Sequence, residues 1–251
     1  MTIPEHKRLS PSEAAATAAD YDAGWSQWSD MVKYSPAPFH RRRMILQLAR
    51  RLDARTVLDV GCGTGETLRV LHEALHPDRL VGVDLSPAVV ESNRRQLRFA
   101  DFAVADVSRT ALDEQFDLVV ATEVLEHIDA YPQTLINLRR MCRGHLIVTV
   151  PSGTIYPIDR HMGHRQHFSA AAITAALETA SFEVTELWQW GFPWHSLYKR
   201  AINRSPDKML NRFGGREYSR TDKWLSRAVT WLFYTNLKQF GSQLVVLAKA
   251  V

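Results

Sequence analysis

From residue 55 onward, apolar and polar positions alternate between short β-rich runs and longer stretches with helical spacing. The runs 56–60, 80–84, 99–104, 116–121 and 145–150 predict five strands, and 66–75, 87–97 and 133–141 predict helices between them. Strands joined through helices of this length pair in parallel with right-handed crossovers, which gives a doubly wound sheet covered on both faces. A ligand is then expected beyond the carboxyl ends of the strands, at the switch point. Two later runs, 182–187 and 243–248, predict further strands, the second closing the chain.

The flanking segments read differently. Residues 1–54 begin polar and then carry Tyr21, Trp25, Trp28 and Tyr34, too many aromatics for a disordered tail, so an N-terminal helical cap is expected. Between the last two strands, 191–240 is an insertion expected to have structure of its own. Trp188, Trp190, Phe192, Trp194, Trp224, Trp231, Phe233 and Tyr234 supply enough apolar area for a lid over an acceptor. Within it, Trp224, Leu225, Ala228, Val229, Trp231, Leu232 and Phe233, flanked by Lys223, Arg227 and Lys238, suit a helix that packs on the sheet, joins a dimer or lies on a membrane surface.

Composition bounds the picture. A chain of 251 residues, 45% hydrophobic and 23% charged, suits one domain: a cap over 1–54, a core over 55–190, the insertion over 191–240 and a last strand over 241–251. Two cysteines are too few for a disulfide framework, and no signal-peptide pattern opens the chain, so the cytoplasm is the expected compartment. No apolar run reaches the roughly 18 to 20 residues a membrane-spanning helix needs. The net charge is +4, and its sharpest cluster, His40-Arg41-Arg42-Arg43, reads as a solvated or docking face of a helix.

The chemistry starts at "VLDVGCGTGETL", residues 57–68. Gly61, Gly63 and Gly65 permit a tight turn and a close approach of ligand to backbone. A dinucleotide fingerprint would place its third glycine where Glu66 stands, and a carboxylate at the start of a helix competes with a pyrophosphate for the same amides. A ligand carrying positive charge fits better.

The D-x-G-x-G-x-G loop after strand one, Asp84 ending strand two, Asp106 after strand three and an apolar strand four leading into "EVLEHI" together resemble the class I S-adenosylmethionine-dependent methyltransferases. The resemblance covers roughly residues 20 to 190 and the final strand. It implies a Rossmann-like, doubly wound, mostly parallel seven-stranded sheet with an antiparallel last strand. S-adenosylmethionine is the implied cofactor, with S-adenosylhomocysteine as product. By the same resemblance Gly61, Gly63 and Gly65, with Cys62 among them, border its methionine and ribose portion, and Asp59 helps hold its amino group or the loop. Asp84 and the adjoining Leu85 take the ribose, Asp106 and Val107 the adenine, and Thr122 closes strand four beside the site. Blander roles exist: Asp84 as a turn or cap residue, Asp106 as a loop acid, Cys62 as a small packing residue.

Methyl transfer to a hydroxyl needs a base, and His127, His164 and His167 are the candidates, in "EVLEHI" and "HMGHRQHFS". Glu123, Glu126 and His127 fall at i, i+3 and i+4, on one face of a helix or turn. The E-x-x-E-H pattern is also similar to that of metal-bearing RNA 2′-O-methyltransferases, which makes a divalent metal a minor expectation. Strand four lacks the N/D-P-P-Y segment of base-methylating enzymes, and no basic stripe interleaved with aromatics is present, so nucleic acid is disfavoured. A hydroxyl on a small-molecule, glycan or lipid-linked acceptor is the leading expectation. An RNA 2′-O-methyltransferase and a noncatalytic cofactor-binding scaffold are the rivals.

Overall fold

The computed structural model describes residues 33–206, Met209 and 218–251. Tyr21, Trp25 and Trp28 lie outside these residues. Strands β1 (Thr56–Val60), β2 (Arg79–Asp84), β3 (Asp101–Val104), β4 (Phe116–Thr122), β5 (Cys142–Pro151), β6 (Phe182–Trp190) and β7 (Gln243–Ala250) form one sheet in the order β3-β2-β1-β4-β5-β7-β6. Strands β1 to β5 pair in parallel, and β7 runs antiparallel to both β5 and β6. The order reverses between β1 and β4, which puts the switch point where the glycine loop begins.

The inner strands are apolar without a break because both faces are covered. Alternate residues go to opposite sides: Leu58, Val119, Leu146 and Val246 join one core cluster, and Val57, Leu118, Ile147 and Val245 the other. Helix α1 (Pro36–Ala49) seals the second face with Met44, Ile45 and Leu48, each at most 1% exposed. Helices α2 (Glu66–Leu75), α3 (Pro87–Gln96), α4 (Tyr131–Met141) and α6 (Ala170–Thr179) accompany the strands, and a short α5 (Pro157–His161) follows β5.

Element ends shift from the sequence expectation for local reasons. Strand β3 starts at Asp101, because Phe99 instead stacks on His72 with ring centroids 4.3 Å apart. Helix α4 starts two residues early, using Pro132 in its first turn, where a missing N–H is harmless. The segment after β4, expected as a helix or a turn, is one 3-10 turn, Leu125–His127.

The aromatics around the insertion divide between core and surface: Trp190, which ends β6 (1% exposed), and Phe233 (0%) belong to the second core cluster, while Trp224 (68%) and Trp231 (74%) face outward. Helix α8 (Arg220–Phe233), started by a Ser219–Asp222 capping box, packs beside α1, with His40 Nε2 2.9 Å from the Thr230 carbonyl. Helix α7 (Trp194–Ile202) adds His195, whose ring stacks on Trp190; His40 stacks on Trp190 as well. The basic cluster is also redistributed. His40 is fully buried, and burial pushes it down to about 4, so it packs as a neutral ring. Among the described residues no helix is long and apolar enough to cross a membrane.

Candidate functional site

The glycine loop connects β1 to α2 through left-handed backbone at Gly61 (φ +66°) and Gly65 (φ +73°). Neither position has room for a side chain: a Cβ on Gly61 would lie 2.6 Å from Val124 Cγ2, and one on Gly65 2.3 Å from Leu97 Cδ1. The loop is held from below. The Gly63 N–H donates to Asp84 Oδ2 (2.9 Å), and the Gly63 carbonyl accepts from Asn93 Nδ2 (2.7 Å). Asp84 Oδ1 accepts from the Ser86 N–H (3.0 Å), while Ser86 itself caps α3 by accepting from the Val89 N–H. Asp84 therefore ties the loop after β1 to the loop after β2. The cap role belongs to Ser86, with the half-buried Leu85 between the two.

Cys62 is buried, its N–H donates to the Val83 carbonyl, and burial raises its thiol well above the usual range, so it packs as a thiol. Asp59 is 1% exposed, and neither carboxylate oxygen meets a hydrogen-bond donor among the described residues. Burial, followed by the nearby Asp84 charge, pushes it up to about 8. Asp106 turns its own loop, accepting from Ser108 and facing Arg109 at 3.1 Å. Val107 is buried next to it, its carbonyl accepting from Asn137 Nδ2 (2.8 Å). Thr122 ends β4 with a buried Oγ1.

Val124, the residue that crowds Gly61, belongs to the segment that carries the carboxylates. Glu123 has φ +56°, an uncommon conformation for a residue with a side chain, and its N–H donates to the Thr149 carbonyl. Its carboxylate accepts from Gln243 Nε2 (2.8 Å) and Thr149 Oγ1 (3.1 Å) and pairs with Arg41 at 3.4 Å. Burial acts to raise its pKa, but the Arg41 guanidinium and the hydrogen bonds from Gln243 and Thr149 are among the contacts that bring it below the usual carboxylate value. Glu126 is fully buried and meets no donor among the described residues; burial and the Glu123 charge push it well above the carboxylate range, so it holds its proton. One of two neighbouring acids is thus charged and the other neutral.

The three candidate histidines come together. The His127 and His164 rings meet edge to face at 4.9 Å, and His164 Nδ1 lies 3.1 Å from His167 Nε2. His167 Nδ1 lies 3.1 Å from the Gly153 carbonyl, and Asp159, paired with Lys199 at 3.1 Å, sits 3.8 Å from His167 Nε2. Burial, first among the causes, lowers all three rings, His164 to about 4. His161 is exposed. Two sets of ligand-type atoms, from Glu126, His127 and His164 and from Asp159, His164 and His167, each fall within 4.8 Å of one another. Imidazole with carboxylate is a donor set that suits a borderline divalent ion.

Sequence reasoning did not anticipate Asn93, Arg41, Gln243, Asp159 or Lys199. Asn93 left one trace, a polar residue at an inward position of α3. The others are brought in from remote elements.

A seven-stranded sheet with one reversed strand, a glycine loop at its switch point and an acid ending β2 define the class I S-adenosylmethionine-dependent methyltransferase fold. A family model described as a methyltransferase domain matches residues 37–187, and the chain belongs to that family. It is 30% identical over 113 residues to a malonyl-acyl-carrier-protein O-methyltransferase of Anoxybacillus flavithermus, covering 43% of this chain and 44% of the relative. It is 31% identical over 139 residues to a trans-aconitate 2-methyltransferase of Azoarcus sp., covering 54% and 55%. The chain thus spans about half the length of these curated relatives. Its fold is similar to that of the N-methyltransferase NodS from Bradyrhizobium japonicum, solved with S-adenosylhomocysteine, at TM-score 0.60 and 18% identity over 93% of this chain and 98% of that one.

Proposed function

We propose that the chain transfers a methyl group from S-adenosylmethionine to a hydroxyl oxygen of a small-molecule, glycan or lipid-linked acceptor, as a single methyltransferase domain working in the cytoplasm. The observation that carries this reading is the contact of Val124 with Gly61: it joins the glycine loop directly to the segment holding Glu123, Glu126 and His127. Cofactor loop and candidate base then border one space at the carboxyl edge of β1 and β4.

In this reading Gly61, Cys62, Gly63, Gly65, Asp84, Leu85, Asp106, Val107 and Thr122 form the cofactor site. Asp59, a buried acid without a donor, suits a ligand that brings positive charge. The bound sulfonium supplies an electrophilic methyl carbon and leaves as a neutral thioether. The chain's own residues align the acceptor, exclude water and take the hydroxyl proton, and a buried neutral imidazole offers the lone pair that the last task needs. No step requires a metal; titration of metal-stripped protein with magnesium, manganese and zinc that gave both binding and faster turnover would add one. The O-methyltransferase relative supports an oxygen acceptor. An RNA acceptor loses support, because His40 and Arg41 of the basic cluster are committed to internal contacts. The outward Trp224–Trp231 face of α8 suits contact with the membrane of a lipid-linked acceptor or with a second copy.

Calorimetric titration with S-adenosylmethionine, followed by labelled-methyl transfer to fractionated acceptors, tests the reading. Label retained after mild alkali excludes a carboxyl ester; a methyl group then found on oxygen by NMR of the product supports the hydroxyl acceptor, and one found on nitrogen or carbon overturns it. Label released by alkali marks a carboxyl ester and overturns it, and binding with no transfer to any fraction assigns the chain to the scaffold reading.

A further inference from the structure

The exposed apolar side chains of this protein are gathered on one part of it. Among the described residues, all the large ones except Val104, Ile136 and Val251 lie on α1, α7, α8 or the two loops beside them. Those loops, 191–193 and 234–242, are joined by the Phe192–Leu237 bridge and by the Trp194 N–H donating to Asn236 Oδ1 (2.8 Å). On α8, Trp224, Ala228, Trp231 and Leu232 recur at helical spacing on the outward side, while Asp222, Ser226 and Phe233 are buried on the other. The strip continues past the end of the helix. The Trp231 and Tyr234 rings lie 5.5 Å apart, and Tyr234 lies 6.3 Å from Phe39 of α1.

The charge around this strip has one sign. Across the described residues of 191–242 the only acid is Asp222, which is buried in its capping box, whereas Arg200, Arg204, Arg220 and Arg227 are exposed. A two-fold contact between copies would set the same patch against itself, guanidinium facing guanidinium with no acid to offset them. An anionic partner meets no such cost. Tryptophan, an apolar ring with a single N–H, suits the zone between lipid headgroups and acyl chains, and a helix with an aromatic outward face and basic flanks lies in that plane. We propose that the α7–α8 face docks the protein peripherally on an anionic lipid surface, the tryptophans entering the headgroup zone and the arginines facing lipid phosphates. The docking stands apart from the methyl-transfer reading, but its consequence for the acceptor rests on that reading. Helix α7 turns Lys199 inward to Asp159 (3.1 Å), beside the histidine group, and Trp194, Leu197 and Arg200 outward. One helix therefore separates the candidate acceptor site from the docking face, which favours the lipid-linked class among the acceptors proposed above.

The test is co-sedimentation of the full chain with vesicles of phosphatidylcholine alone and of phosphatidylcholine mixed with phosphatidylglycerol, at low and at physiological salt. The expected result is binding to the mixed vesicles, weakened by salt, and little binding to the neutral ones. Trp224→Ser with Trp231→Ser should lower the partition coefficient about tenfold or more. Arg220→Gln with Arg227→Gln should lower it on the order of tenfold on the mixed vesicles and leave the neutral ones unchanged. Recovery of the full chain in the supernatant with both vesicles at low salt overturns the proposal. So does equal binding to the two vesicles, or mixed-vesicle binding that the tryptophan variant keeps in full. A dimer in sedimentation equilibrium that the tryptophan variant dissolves would make the face a contact between copies and overturn it as well. If that variant fails to fold, the arginine variant and quenching of tryptophan fluorescence by brominated lipid in the unaltered chain still decide. Vesicle binding is read without cofactor or acceptor, so its failure leaves the methyl-transfer reading standing. Docking by a chain that transfers no methyl group would overturn that reading and leave the docking face.

Discussion

Around Gly63 polar side chains hold backbone, and around His164 they hold one another. In the first region Asp84 and Asn93 bond the Gly63 N–H and carbonyl from the next strand and helix, so the loop geometry is set by groups close in sequence. In the second, Arg41 from α1, Gln243 from β7 and Thr149 from β5 converge on one carboxylate, and Lys199 from α7 reaches Asp159. A loop fixed by backbone bonds suits one invariant ligand. A network of side chains can be changed a residue at a time without disturbing the sheet.

That contrast can be broken at its strongest point by Arg41→Met. Removing the guanidinium leaves Glu123 charged, mostly buried and short of its counter-ion, and should cost about 3 kcal/mol of stability in urea unfolding. Adding Glu123→Gln should restore most of the loss, because the uncompensated charge is then gone. Full recovery only with Arg41 present would show that the arginine packs rather than pairs.

In the loop region, Asp84→Ala should weaken S-adenosylmethionine binding about 100-fold or more, close to 2.7 kcal/mol, by calorimetry. Stability should fall less, since Asn93 and the Cys62–Val83 bond still hold the turn. Unchanged affinity would separate Asp84 from the cofactor.

Asp59 gives a pH prediction. Its pKa is raised from 3.8 to about 8 in the folded chain, so between these values the folded state binds more protons than the unfolded one. Stability contributed by this group must therefore fall as pH rises through that window, level off above about 8, and be fully present below about 4. Asp59→Asn should flatten the slope and stabilise the ligand-free protein at pH 8 by about 2 kcal/mol, while weakening the cofactor. A parallel pair of stability–pH curves would remove the buried acid from the account.

The smallest effect is expected at the surface. Trp224→Ser with Trp231→Ser should change folding stability by no more than about 0.5 kcal/mol, because both rings face outward. The same variant should lose any co-sedimentation with anionic liposomes that the unaltered chain shows. A loss of several kcal/mol would mean that the rings are buried against a second copy.

Strand and helix order, the switch point and the loop were legible in the sequence, because each depends on local spacing: runs of period two, helical stretches of about ten residues, and glycines at positions where a Cβ would strike Val124 or Leu97. The three histidines could be nominated from two short segments. Their hydrogen bonding could not, since it passes through Gly153, a carbonyl with no sequence signature. The insertion showed why composition misleads over long loops. Trp224, Trp231 and Phe233 all lie on α8, yet Phe233 is core and the two tryptophans are surface, a division made by the side of α8 that meets α1.

The sequence by itself determined the doubly wound sheet, the loop that turns at its centre and the residue types available for chemistry, because backbone sterics and apolar periodicity act over a few residues at a time. Only the tertiary structure decided which charges are paired, which acid keeps its proton and which way each imidazole points. Those outcomes depend on burial and on partners brought in from other elements of the fold, and a buried charge takes its state from whatever the fold places beside it.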